Sequence, residues 1–466
     1  MKVLLLTSTA PEYIFNEKIL SRLDNLVPIG LLYLGAILKR AGHTVKLIDV
    51  HNNFIIGRQV NLKNEVNFFK PDLVGVNCFV TGRFKSAINI CNQVKETNAN
   101  IPVVMGGIHS SMLPKEIMEE YKCIDYICLG EGEKFILDLM HAHFNDKSAL
   151  KDIDGIAYRE HGKVMVNPKT MFIQDLDEIP FPDYDLIDIH DYWFDTSKWF
   201  NPKKLPINVS LPIISSRSCP NKCTFCSNYL IQGRKWRARS AKNVVDEIEF
   251  LYKKYNQHYF SFLDDNLTLS KKRILDICNE ILARKLDIQF DTPNGLSIKT
   301  LDKEILDSMT KAGLIRVSVA VEHGSEYMRN SVMKKNLSTK AIYDFFKYSK
   351  NYKNLTVKAF FVIGYPQETR ETLQETYDMI QKISPYLDFL GMFFVSPFPG
   401  TEVFTYCQKH SLINLSKEDI RDGNYYAVYT NYNDSDLPMI KPYELTLEDL
   451  VNFRDKAKKL VRRRYK

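Results

Sequence analysis

Apolar residues fall into short dense runs, each followed by a stretch whose apolar positions recur at helical spacing. The first pair is "MKVLLLTST", which ends in small polar residues, and "GLLYLGAILKRAGH", which stops at Gly42. "TVKLIDV", "DLVGVNCFV" and "IPVVMGG" continue the runs, with the helical stretch "AINICNQVKET" between the last two. "IDYICLGEGE" closes the series ahead of the helix "KFILDLMHAHF". Buried strands alternating with amphipathic helices predict an α/β fold over residues 1–145, a Rossmann-like doubly wound parallel sheet. Ligands of such sheets sit at the carboxyl ends of the strands. Those ends read "TSTAPEY", "NCFVTG", "GGIHSS" and "GEGE".

The pattern changes over residues 146–205. "DGIAYREHGKVMVNP" predicts a hairpin, and "DLDEIPFPDYDLIDIHDYW" is acidic, aromatic and proline-bearing. This segment reads as a connection between domains that packs on its own aromatics. A second strand–helix series then runs over residues 206–400. Its six strands are "LPIISSR", "HYFSFLD", "DIQFDTP", "IRVSVAVE", "LTVKAFFVIG" and "FLGMFFVSP". Six units in one run favour a partial or full barrel, again with its site at the strand carboxyl ends. Residues 401–466 hold a segment rich in Tyr and Asn and a final helix, expected to form a lid. Tyr425, Tyr426 and Tyr429 are candidates for lining a pocket there.

Composition narrows the class. The 466 residues are 45% hydrophobic and 26% charged, which excludes a disordered chain and predicts two or three domains. The net charge of +7 fits an anionic ligand without demanding nucleic acid, and no basic–aromatic interleaving stands out. No run approaches the ~18 apolar residues that span a bilayer. The amino terminus lacks a secretory apolar region. The expected setting is the reducing cytoplasm, where nine cysteines suggest metal or redox chemistry rather than disulfides.

Three of those cysteines, Cys219, Cys223 and Cys226, lie in "SRSCPNKCTFCSN", directly after the first strand of the second series. A structural zinc site wants four Cys or His ligands. Cys278 and Cys407 sit in apolar helical patterns and read as core. A [4Fe–4S] cluster held by three thiolates fits better than zinc or three core cysteines, because it leaves one iron open to a chelating substrate.

C-x3-C-x2-C at this position resembles the radical S-adenosylmethionine (SAM) superfamily. The resemblance implies that the open iron chelates the amino and carboxylate groups of SAM, with Phe225 beside the adenine. "FLDDN" resembles the family's acidic second-strand end and places Asp264 at SAM. "VAVEHGSE" resembles its fourth-strand element, with His323 where Ser is usual, and implies that Glu322 binds the ribose. "FFVIGYPQET" resembles its fifth-strand element, with Gln367 in place of the second glycine. Gly364 and Pro366 would then lie against adenine. "SPFPGTEVF" resembles its sixth-strand ending. "RKWRARS" resembles its arginine-bearing loop, so Arg237 or Arg239 would pair with the SAM carboxylate.

The first series resembles the cobalamin-binding domain fused to one radical SAM subgroup. "VPIGLLYLGAILKRAGHTVKLID", "PDLVGVNCFVTG", "VVMGGIHSSMLP" and "ICLGEGE" match in order. The resemblance implies that Gly106 and Gly107 let backbone approach the nucleotide tail of the corrin. Asn77, Thr81 and Ser110 would bond its polar edge, and Gly130, Glu131 and Gly132 would close the same face. His109 is a further contact candidate. No D-x-H-x-x-G signature is present, so no cobalt ligand is assigned. No G-x-G-x-x-G follows the first strand, which argues against a dinucleotide.

The combined resemblance implies an enzyme that methylates an unactivated carbon of a small molecule through a 5′-deoxyadenosyl radical and methylcobalamin. A cyclase or rearrangement enzyme with the same cofactors stays open, as does a non-catalytic cobalamin or iron–sulfur sensor. The implied partners are an anionic or lipid-like substrate and an electron donor such as flavodoxin or ferredoxin.

Overall fold

The computed structural model describes residues 1–9, 26–193, 201–206, 209–424 and 438–461. Tyr425, Tyr426 and Tyr429 lie outside these residues, as does the end of the basic carboxyl-terminal stretch.

The amino-terminal sheet is built on five parallel strands: β1 (Lys2–Thr7), β2 (Thr44–Ile48), β3 (Leu73–Asn77), β4 (Val103–Gly106) and β5 (Tyr126–Cys128). Their spatial order is β2-β1-β3-β4-β5. Helices cover both faces, which is why β1 is buried from Val3 to Thr7 without alternation. The expected hairpin forms, as β6 (Ile156–Glu160) and β7 (Lys163–Val166), but it is not part of a linker. It extends the same sheet antiparallel from β5.

The second series begins at β8 (Leu211–Ile213). A short pair, β9 (Ser216–Arg217) and β10 (Arg237–Ala238), flanks the cysteine loop. Then come β11 (Tyr259–Phe262), β12 (Gln289–Leu296), β13 (Leu314–Glu322), β14 (Thr356–Ile363) and β15 (Phe389–Phe394). They pair in parallel in the order β15-β14-β13-β12-β11-β8, an open six-stranded barrel.

The connecting segment packs on both domains rather than on itself. Tyr192 donates its hydroxyl to Asp49 Oδ2 at 2.7 Å, and Tyr184 donates to the Pro212 carbonyl at 3.2 Å. Asp183 pairs with Lys39 of the first domain at 2.6 Å, and Asp185 with Lys254 of the second at 2.7 Å. One apolar cluster therefore runs from Val3 through Tyr184 to Phe361. The carboxyl-terminal extension also divides. Helix Lys417–Asp422 sits on the first domain, where Tyr121 donates to Asp422 Oδ1 at 2.8 Å. Helix Leu447–Lys458 packs on β15 and on helix Arg370–Ile383 of the barrel.

Candidate functional site

The cysteine loop leaves β9 through Ser218, whose φ of 71° turns the chain sharply. Gln232 holds that turn: the Ser218 N–H donates to its Oε1 at 2.6 Å. On the far side, the Thr224 N–H donates to the Met333 carbonyl at 3.2 Å. Cys219, Cys223 and Cys226 are all half-buried and free of disulfides. Burial pushes the Cys223 thiol up to about 12 and raises that of Cys226, while the Lys335 charge works against both shifts. Thiolates here need a cationic partner, which a metal centre supplies. Among the described residues, no three His, Cys, Asp or Glu side chains converge on a single ion. A [4Fe–4S] cluster takes three thiolates on three irons, the number of thiols this loop offers, whereas a structural zinc site takes four ligands. Asn266 Nδ2 lies 3.6 Å from Cys219 Sγ, and Asn266 Oδ1 is buried without a partner.

The carboxyl ends of β13 and β14 face the same loop. Glu322 ends β13 with a φ of 70°. Lys335 Nζ donates to Glu322 Oε1 at 2.6 Å, and both side chains are at most 10% exposed. Burial opposes the Lys335 charge. Glu322, Cys223 and Cys219 outweigh it and hold the ammonium above its ordinary range. The buried ring of His323 accepts from the Ser325 N–H at Nδ1, 3.0 Å away, which leaves its proton on Nε2 for Glu368 at 2.9 Å. Glu368 Oε2 in turn accepts from the Gly364 N–H at 3.1 Å. Thus the unusual His323 ties the end of β13 to the turn after β14. Phe225 packs on the apolar cluster that holds Met328, Met333 and Tyr365. Pro366 gives its carbonyl to the Tyr443 N–H at 2.9 Å, and Gln367 Oε1 is buried without a partner.

Three expected SAM contacts are committed elsewhere. Arg237 Nη1 donates to Glu131 Oε1 at 2.7 Å and to the Ile173 carbonyl at 2.6 Å. Arg239 pairs with the buried Glu247 and with Asn243 Oδ1. Arg237 therefore ties the barrel to the first domain and the connecting segment, whereas Arg239 braces the barrel itself. Asp264 accepts from the Ser215 N–H and from the hydroxyls of Ser215 and Ser216, bracing the approach to β9. Lys335 is a buried cation whose charge acts on the triplet. Sequence reasoning missed it because "MKKN" offers two adjacent lysines. Only the fold shows that Lys334 reaches outward to Glu402 while Lys335 turns inward.

In the first domain, Thr81 Oγ1 and His109 Nδ1 are buried without partners, and so are both ring nitrogens of His51 and Asn52 Oδ1. All follow the carboxyl ends of β2, β3 and β4. Buried polar groups are normally satisfied, so this edge suits a polar ligand. His109 Nε2 donates to the Arg421 carbonyl at 2.6 Å, and burial lowers its pKa to about 4, so the ring is neutral. Ser110 donates to the Gly107 carbonyl at 3.2 Å. Asn77 pairs with Gly106 in the ladder between β3 and β4.

Three of the four glycines expected at the corrin are closely packed against other parts of the protein. A Cβ at Gly107 would lie 2.1 Å from the Cys78 carbonyl oxygen, whereas one at Gly106 would make only an ordinary contact. A Cβ at Gly130 would lie 2.7 Å from the Ile231 carbonyl oxygen of the barrel, and one at Gly132 would press on Leu34 at 3.2 Å. Glu131 accepts from Arg217, Arg237 and the Ile173 N–H. Gly130 to Gly132 thus meet the second domain and the first helix.

The comparisons agree with this division. Residues 19–139 match the B12 binding domain, and residues 213–380 match the Radical SAM superfamily. An uncharacterized methyltransferase from Pyrococcus horikoshii is 32% identical over 386 residues, covering 83% of this chain and 79% of that protein. An anaerobic magnesium-protoporphyrin IX monomethyl ester cyclase from Rubrivivax gelatinosus is 30% identical over 390 residues, covering 82% of this chain and 66% of that protein. The radical SAM methyltransferase TsrM from Kitasatospora setae, solved with cobalamin and a [4Fe–4S] cluster, superposes with a TM-score of 0.67 at 18% identity, over 89% of this chain and 76% of that one. With both domain types present in order and a relative this similar along most of its length, the chain belongs to the B12-binding radical SAM family.

Proposed function

We propose that the protein is a cobalamin-dependent radical SAM enzyme that methylates an unactivated carbon of a small molecule. The observation that carries this reading is the pairing of two sites in one body. The barrel carries a half-buried thiol triplet with the buried Lys335–Glu322 pair beside it. The joined domain carries buried polar atoms that await a ligand. The methyltransferase relative supports methyl transfer.

Cys219, Cys223 and Cys226 would hold the cluster, and the first-domain edge at Thr81, Ser110 and His109 would hold cobalamin. When bound, these groups supply the electron that cleaves SAM to a 5′-deoxyadenosyl radical and a carrier for the transferred methyl. Lys335 neutralises the SAM carboxylate, the role expected of an arginine, and its charge also favours the thiolates. Glu322 orients the ribose hydroxyls, and the chain around Gly364 and Pro366 with Phe225 forms the adenine wall. His323, held by its two bonds, keeps those two walls in register through Glu368. Asn77, Gly106 and Gly107 shape the corrin edge. Among the described residues no helix is long and apolar enough to cross a membrane. The proposed setting is cytoplasmic, with an anionic or lipid-like substrate and a flavodoxin or ferredoxin as electron donor.

A second reading rests on the similarity to the protoporphyrin ester cyclase, which indicates cyclisation without methyl transfer. Counting products separates the two. Protein prepared without oxygen, with its cluster rebuilt and hydroxocobalamin supplied, is given SAM and a strong reductant. Formation of both 5′-deoxyadenosine and S-adenosylhomocysteine is expected. Deoxyadenosine alone would favour the cyclase reading, and neither product would contradict both.

A further inference from the structure

The "GEGE" stretch, Gly130 to Glu133, touches the cysteine loop on both of its sides. Upstream, Arg217 stands two residues before Cys219. Its Nη1 donates to Glu131 Oε1 at 3.1 Å, and its Nη2 pairs with Glu133. Downstream, Gly130 lies against the Ile231 carbonyl in the helix Tyr229–Gln232, which follows Cys226. Arg237, the ladder partner of Arg217, closes the group by donating to Glu131. Glu131, Glu133, Arg217 and Arg237 are each at most 8% exposed. Tyr33 lies under the Arg217 guanidinium at 5.9 Å.

The same stretch continues into the first-domain edge. The Gly130 N–H donates to Ser111 Oγ at 3.1 Å, and Ser111 Oγ donates to the Gly107 carbonyl at 2.7 Å. An unbroken line of short contacts therefore joins the loop of Gly107 to Ser111 with the loop of Cys219 to Cys226. A surface ion pair would not fix geometry, but these buried, charge-assisted Arg–carboxylate bonds, with the Arg217 guanidinium forked between Glu131 and Glu133, have a narrow range of distances and angles.

We propose that Gly130 to Glu133 form a rigid joint that sets the distance between the cobalamin and cluster sites, with Arg217 as its positioning residue. This rests on the assignment of those two cofactors. The joint binds neither group. It fixes one loop against the other, so that radical formation and methyl delivery meet at one substrate carbon.

The test uses the full chain carrying both a reduced cluster and cob(II)alamin. Each is paramagnetic, and their spin–spin interaction falls steeply with separation. The variant Arg217→Met with Glu133→Gln removes both ion pairs of Arg217 without stranding a charge, because Glu131 keeps its pairing with Arg237. It is expected to keep its iron and corrin content but to show a weaker and broader spin–spin interaction than wild type. Deoxyadenosine formation, which needs only the barrel, should stay within about 2-fold. S-adenosylhomocysteine formation should fall up to about 100-fold, as a misplacement near 1 Å can do. Arg217→Lys should restore part of the interaction. Should the double variant misfold, Gly130→Ala perturbs the joint with all four charges kept, and the same split is expected. An unchanged spin–spin interaction, or equal loss of both products, would overturn the joint. Wild-type protein lacking either magnetic signal would overturn the cofactor assignment, and the joint with it.

Discussion

The carboxyl edges of the two sheets differ in how they treat their polar groups. At the barrel edge the charges find each other: Lys335 with Glu322, His323 with Glu368, Asp264 with two serines. At the first-domain edge, His51, Asn52, Thr81 and His109 leave buried atoms without partners. An unmet buried polar group costs about 1–3 kcal/mol, so the second edge is the less stable one until a ligand meets it. The barrel edge pairs its charged side chains with one another, although the amide oxygens of Asn266 and Gln367 there are also buried without partners. The comparison teaches that the barrel edge is a frame of internally paired charges, whereas the first-domain edge leaves imidazole, amide and hydroxyl groups unmet.

The largest effect should come from the frame's centre. Replacing Cys219, Cys223 and Cys226 together with Ala should abolish the ~400 nm absorbance of a bound cluster while corrin binding survives. Next is the contact between the two edges. Arg217→Met alone strands the buried Glu133 carboxylate and should lower unfolding stability by about 3–5 kcal/mol in denaturant titration. The paired change with Glu133→Gln should recover most of that loss. Lys335→Met should weaken SAM binding about 10- to 100-fold, as loss of a charge-assisted bond does, measured by equilibrium binding to the cluster-loaded protein.

The first-domain edge should show its character in pH. The folded pKa of His109 is about 4, below its ordinary 6.5, because burial disfavours the charge. The unfolded chain therefore takes up that proton first. The stability His109 contributes is complete above pH 6.5 and is lost as pH falls from 6.5 towards 4. The slope in that window is about 1.4 kcal/mol per pH unit. His109→Gln should flatten it, leaving the share of His51, which burial also lowers, to about 3. The smallest effect is expected at Thr81→Val, which should weaken cobalamin binding by about 1 kcal/mol, read as a smaller rise in melting temperature on loading.

Both domain folds were legible because strand and helix periods are local properties. "MKVLLLTST" must be a doubly covered strand whatever lies around it. The cysteine triplet is legible as a local cluster for the same reason, since its three residues are near neighbours in sequence. Tertiary pairing was not. Glu131 and Arg237 are 106 positions apart, and each reads alone as a ligand contact. Their mutual bond exists only once the domains meet. Lys335 was hidden beside Lys334, because period and composition do not say which lysine turns inward. The hairpin was predicted correctly, but its attachment to β5 depends on an edge strand that local pattern does not reveal.

The most direct test of the central claim is a titration of cobalamin-free, cluster-loaded protein with hydroxocobalamin in the presence of SAM and reductant. S-adenosylhomocysteine should rise with the corrin bound and level off when binding saturates, while 5′-deoxyadenosine forms even without corrin. S-adenosylhomocysteine that forms equally well without corrin, or never forms at saturation, would contradict a cobalamin-dependent methyl transfer.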